Sequence, residues 1–171
     1  MPVIRQCALL LVFVAGSGCA SHKAATTTTT TTAKGPPRWT GSFKQESNSA
    51  VIGAELARGR SSGYGSIVLT PVADQERRVK VELSVNTSLT GTQIAWAVYE
   101  GTCGAPTPPV LSVNEFPTIE IGTNGAGVVR GELPVTLNAR GTYHANVYWS
   151  NRATDVSNVM LCTNLAYAAA R

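Results

Sequence analysis

Histidine is nearly missing from this chain: His22 and His144 are its only imidazoles. Zinc and copper centres in β domains rely on several converging imidazoles and on the groups that orient them, so a histidine-built metal enzyme is excluded at the outset and no cofactor is expected. Long apolar runs are missing too. The one sustained stretch, Ala8 to Val14, is far short of the roughly 20 residues that span a bilayer, which excludes a transmembrane helix. The main body of the chain also lacks a charge excess. The formal net charge is +4, but from Trp39 onward ten Lys and Arg balance ten Asp and Glu, so no basic surface is available for nucleic acid. The densest basic group, Arg77-Arg78 with Lys80, is interspersed with Asp74, Glu76 and Glu82 and reads as a solvated strand edge. Catalytic signatures are equally scarce. No Gly-x-Ser-x-Gly elbow accompanies the serines. The glycines of Ser62-Gly-Tyr-Gly65 and of Gly122-Thr-Asn-Gly-Ala-Gly127 lack the strand, loop and helix order of a phosphate cradle. A carboxylate pair for sugar hydrolysis would have to come from Glu100, Glu115, Glu120 or Glu132, whose separation sequence does not give, and Glu100 reads as a charge at a strand end.

What is present begins with an export pattern. Arg5 gives a short positive region, Ala8 to Val14 an apolar one, and Ala15-Gly-Ser-Gly-Cys-Ala20 the small residues that a signal peptidase needs. Cys19 after Gly-Ser-Gly resembles the lipobox of bacterial lipoproteins, although Gly16 stands where that motif prefers Leu. The resemblance implies a signal peptide over residues 1–18, acylation of Cys19 and a membrane held through lipid alone, at about 0.8 kcal/mol per buried methylene. Ala20 rather than Asp after the cysteine resembles the sorting pattern for the outer membrane. Residues 19–38 follow as a tether: Ala, Lys, Pro and an unbroken Thr26 to Thr32 run offer no large apolar side chain, and β-branched Thr with Pro36-Pro37 favours extended backbone.

Residues 39–171 have the size of one domain, and their period is two. Val79-Lys-Val-Glu-Leu-Ser-Val85 alternates without a fault, as a strand with one wet face must. Further runs at 64–70, 92–99, 118–121, 127–137, 142–150 and 159–165 are separated by Gly, Pro, Asn and Asp. They predict an all-β Greek-key antiparallel sandwich or barrel of about seven or eight strands. Asn124-Gly125 predicts a hairpin with a type I′ turn, and Trp39 is expected to pack on the domain edge where the tether ends. With Cys7 in the signal and Cys19 taking lipid, Cys103 and Cys162 are the one pair in an exported domain and should form a disulfide.

Trp96-Ala-Val-Tyr-Glu-Gly-Thr-Cys103 resembles the copper-zinc superoxide dismutase strand that carries His-Val-His-Glu and then the first disulfide cysteine. Asn158-Val-Met-Leu-Cys-Thr-Asn-Leu165 is similar to that family's last strand, with the second cysteine, and Thr142-Tyr-His-Ala-Asn-Val-Tyr148 to the strand ending in another copper ligand; it also resembles a segment of CHRD-type domains. The resemblance implies a dismutase-like β-sandwich without its metals. The histidine positions fall on Ala97, Tyr99 and Tyr148, the loop 104–117 contains neither His nor Asp, and the guiding arginine falls on Val159. His144 reads as a surface or half-buried imidazole. Tyr99, Tyr148 and Trp149 would lie near the former metal region, where they either fill a core gap or line a small recess. The expectation is a non-catalytic, metal-free module of the envelope with a membrane anchor and an envelope protein or glycan as partner. The alternatives are a small-ligand binder using the aromatic recess and a degenerate copper- or zinc-binding protein.

Overall fold

The computed structural model describes residues 35–45, 63–75, 77–151 and 158–170. Within them the chain forms nine strands: β1 (Arg38–Gln45), β2 (Tyr64–Pro71), β3 (Val79–Asn86), β4 (Thr92–Ile94), β5 (Trp96–Glu100), β6 (Ile119–Ile121), β7 (Ala126–Leu133), β8 (Tyr143–Tyr148) and β9 (Val159–Ala168). A single turn of 3₁₀ helix, Val113–Glu115, lies between β5 and β6. All neighbouring strands are antiparallel and run in the order β4-β6-β7-β3-β2-β1-β9-β8-β5. The all-β class, the antiparallel sheet and the disulfide are as the sequence predicts.

The two outer strands of that order, β4 and β5, are consecutive in the chain and separated only by Ala95. The Ala95 N–H donates to the Ser150 carbonyl at 2.7 Å, and the Tyr148 N–H donates to the Ala95 carbonyl at 2.9 Å. One stretch of chain therefore pairs with β6 in its first half and with β8 in its second, which bends the sheet into a nearly closed barrel. Closure of this kind protects edge strands that would otherwise offer unpaired backbone to other chains. From β3 the chain passes β7 and β6 before it forms β4, and from β7 it passes to the far side to form β8. Such long returns between hairpins are Greek-key connections.

Alternation decides what faces inward. Val79, Val81, Leu83 and Val85 of β3 are buried while Lys80 and Glu82 are exposed, and the cross-strand register carries the same parity to Ile67 and Leu69 on β2 and to Val129 and Leu133 on β7. Each such aliphatic contributes about 1.5–3 kcal/mol relative to an exposed position, so β3 alone supplies about 6–12 kcal/mol as an upper bound. Ile94, Trp96 and Val98 continue the inward row across the Ala95 bend. The Trp96 indole N–H donates to the Pro117 carbonyl at 2.7 Å, with the Phe116 ring edge-on at 5.1 Å.

The structure departs from these expectations in detail. β1 carries no alternating apolar signal in the sequence, because its middle inward position is Gly41, between Trp39 and Phe43. A Cβ there would lie 2.6 Å from Thr163 Cγ2, so close packing removes the side chain that would have marked the alternation. β1 lies between β2 and β9, so Trp39 is a buried core residue, with Tyr167 at 5.0 Å and Tyr143 at 6.5 Å between ring centroids. The Asn124-Gly125 hairpin is present between β6 and β7, but only Gly125 has positive φ, at 76°. Its N–H donates to the Gly122 carbonyl at 3.0 Å, and the Gly122 N–H to the Ala126 carbonyl at 2.9 Å, which is the longer loop with a left-handed glycine rather than type I′. Arg77 and Arg78 lie in the β2–β3 turn, not on a sheet edge; Arg78 pairs with Glu132 at 3.1 Å. β7 ends at Leu133 because Pro134 has no N–H to give the ladder, although Val135 and Leu137 beyond it remain buried.

Candidate functional site

Strands β5 and β8, and the first half of β9, differ from the rest of the barrel because both of their faces are buried. Their inward row is Trp96 and Val98 on β5, then Ala145 and Val147 on β8 and Leu161 on β9. The opposite row, which in an ordinary one-sided barrel would meet water, is Ala97 and Tyr99, then His144, Asn146 and Tyr148, then Cys162. The register sets Tyr99 directly across from His144, and Ala97 across from Asn146.

The Cys103–Cys162 disulfide, with Cα atoms 6.0 Å apart, fastens the segment after β5 to this outer row. Further ties run along the same segment. Asn164 Oδ1 accepts from the Cys103 N–H at 2.8 Å, the Val98 carbonyl from the Val110 N–H at 2.9 Å, and the Glu100 carbonyl from the Thr107 hydroxyl at 2.5 Å. Sequence reasoning reached the disulfide but not these anchors, since nothing in residues 104–117 signals which backbone groups will meet β5.

At the centre of the row Tyr99 and Tyr148 approach from opposite ends. Tyr99 is level with His144, and Tyr148 lies beyond Val147, whose partner is Trp96. The two tyrosines therefore stand about four residues apart along the strands, or about 13 Å. A small residue, Ala97, occupies the span between them, and their rings lean inward until the hydroxyl groups meet at 2.5 Å. Tyr99 is 7% and Tyr148 1% exposed. Two phenols that bond to one another satisfy polar tips in a dry place, and they occupy the volume rather than opening it. Trp149, the third member of the predicted aromatic group, is buried next to Tyr148 in the chain, and its indole N–H has no hydrogen-bond partner among the described residues.

His144 differs from the expectation. It is 1% exposed rather than half-buried, and its ring stacks on Tyr99 at 5.2 Å and 19°. Burial lowers its pKa from the ordinary value, and the backbone oxygens of Gly101 and Glu100 pull weakly the other way. Burial thus favours the neutral ring. Its Nδ1 and the Oδ1 of Asn146, which is 4% exposed, have no partner among the described residues. The difference has a physical source: alternation correctly separates His144 from Tyr143 and Ala145, but it cannot say that the outer face is buried as well.

Among the described residues no three His, Cys, Asp or Glu side chains converge as metal ligands. Shallow depressions do occur on other surfaces, one of about 400 Å³ lined by Thr40, Gly41, Ser42, Ser66 and Asn164 across β1, β2 and β9, and one of about 370 Å³ beside Glu100, Asn138 and Thr142. Glu100 is exposed there, at the strand end where the sequence places it. Among the described residues no helix is long and apolar enough to cross a membrane. Cys19 and the segment 1–34, with the predicted signal, lipidation site and most of the tether, lie outside the described residues. No protein-family model matches the sequence, and no curated protein matches it.

Proposed function

We propose that this chain is a lipid-anchored envelope protein whose barrel is a metal-free, non-catalytic relative of the dismutase-like β domains, serving as a binding or structural module held off the membrane by its tether. The observation that carries the reading is the tyrosine pair. On the dismutase-like resemblance, Ala97, Tyr99 and Tyr148 take the places of copper-binding histidines. In the barrel those residues lie on one face, with the tyrosine hydroxyls bonded to each other above a methyl group. The Greek-key connections and the Cys103–Cys162 bridge support the same resemblance. Burial of both tyrosines favours filling over a recess, so the small-ligand alternative has less support. The anchor rests on the Cys19 pattern alone.

Expression of the full chain in a Gram-negative host with labelled palmitate tests the anchor: label should enter the wild type and not Cys19→Ser. The purified domain should remove superoxide no faster than buffer. Unlabelled wild-type protein or catalytic turnover would each overturn the corresponding half of the proposal.

A further inference from the structure

The outer face of β7, β3, β2, β1 and β9 carries a trough whose shape is set by side-chain length. The register lines up Val128 with Ser84, Ser84 with Ser66 and Ser66 with Ser42, one short residue from each of four strands. The next row on that face is Arg130, Glu82, Val68, Thr40 and Ala166. Along these two rows lie two depressions, of about 400 and about 180 Å³. Both are lined by Ser66 and Val68, with Asn164 at the β9 end of the larger one, so together they cross all five strands. At the spacing of paired strands the trough is about 19 Å long. Tyr64, two residues before Ser66 and 67% exposed, leaves β2 on the same face.

The chemistry of the floor selects the occupant. Ser66 Oγ lies 3.1 Å from Ser84 Oγ, and the Asn164 side-chain oxygen is taken by the Cys103 N–H at 2.8 Å, which leaves the amide hydrogens as its donors. Protein interface cores favour aromatics, Met and Arg and are poor in Ser. The backbone of these strands is already paired on both sides, so no peptide strand can be added. Within the two rows the charges are one of each sign, Glu82 and Arg130, set opposite each other, and Glu82 also pairs with Lys80 at 3.0 Å. An anionic polymer finds no line of cations there. We infer that the trough binds a neutral carbohydrate chain, whose hydroxyl groups exchange hydrogen bonds with Ser42, Ser66, Ser84 and Asn164 while a sugar ring rests on the exposed Tyr64. Groups on strands paired on both sides are held in place before the ligand arrives, which lowers the ordering cost of binding. The inference names a partner for the binding module proposed above and rests on that reading for its setting in the envelope.

The test is titration of the purified, oxidised, nitrogen-labelled protein with cellotetraose, maltotetraose and chitotetraose. With at least one of these sugars, amide shifts should concentrate at Ser42, Ser66, Ser84 and Asn164. Ser66→Arg puts a long side chain in the middle of the trough and should weaken binding by about tenfold or more, and Tyr64→Ala by about three- to tenfold. Gln93→Arg adds the same charge on the exposed side of β4 and should leave binding unchanged. Absence of shifts with all three sugars would overturn the inference, as would shifts centred elsewhere or undiminished affinity in Ser66→Arg. Tighter binding of a sulfated oligosaccharide, through Lys44 and Arg38 beside the trough on β1, would overturn its neutral chemistry. None of these failures touches the palmitate or superoxide results, so the trough can fall while the metal-free module stands.

Discussion

Replacing Cys103 and Cys162 with Ala should cost this domain about 4 kcal/mol, and the size of that loss follows from the topology. The bridge joins residues 59 apart in sequence, and closing a loop of that length in the unfolded chain removes about 14 cal/mol/K of conformational entropy, or about 4 kcal/mol at 25 °C. Native contacts should do little to offset the loss, because the polar ties of the segment after β5, among them Val110 to Val98, Thr107 to Glu100, Cys103 to Asn164 and Trp96 to Pro117, are already made with the bridge in place. At about 2.1 cal/mol/K of unfolding entropy per residue over roughly 130 residues, the midpoint should fall by about 15 °C. Equilibrium urea unfolding followed by tryptophan fluorescence measures it, with the slope showing whether the denatured state has also changed. A loss below about 1 kcal/mol at unchanged slope would refute the reasoning, as would two freely reactive thiols in the native oxidised protein.

Other predictions rest on single contacts. Tyr148→Phe takes away a partner of the buried Tyr99 hydroxyl and should cost about 1–3 kcal/mol, while Tyr99→Phe with Tyr148→Phe should cost clearly less than the two singles added; additive losses would show that the hydroxyls are not coupled. His144 is depressed below the ordinary histidine value by burial, so the unfolded chain binds the extra proton first. Stability should then decline as pH falls below about 6.5, level off once the folded ring is protonated, and decline less in His144→Gln; a wild-type profile flat from pH 6.5 to 5 contradicts this. Gly127→Ala would bring a Cβ to 2.5 Å from Ile119 Cγ2 and 2.6 Å from Ile121 Cδ1, an overpacking cost of about 1–3 kcal/mol. Gly131→Ala, with nothing within 4 Å, should be neutral or slightly stabilising, and equal effects at the two glycines would be wrong for this barrel.

Legibility in the sequence followed the regularity of each strand. β3 could be read residue by residue because every inward position is aliphatic and every outward one polar. β1 could not, because close approach to Thr163 leaves Gly41 with no side chain to read. The run 92–99 reads as one strand, and locally it is one; its division into β4 and β5 comes from pairing with two distant partners, which no local pattern encodes. The cysteine pair was deducible by elimination. At the candidate site the resemblance placed Tyr99 and Tyr148 near each other, and the barrel brings their hydroxyls into contact. The burial of His144 and Asn146 was not legible, because it depends on a tertiary cover over a face that alternation assigns to solvent.

Metal content of the purified, oxidised domain after incubation with copper and zinc, set beside a Tyr99→His/Tyr148→His double variant, tests the central claim most directly. A wild-type domain that retains far less than one equivalent of either metal, with the tyrosine pair undisturbed, is the predicted result. Retention of a full equivalent by the wild type would contradict the account, because the face closed by the two tyrosines would then be a working metal site.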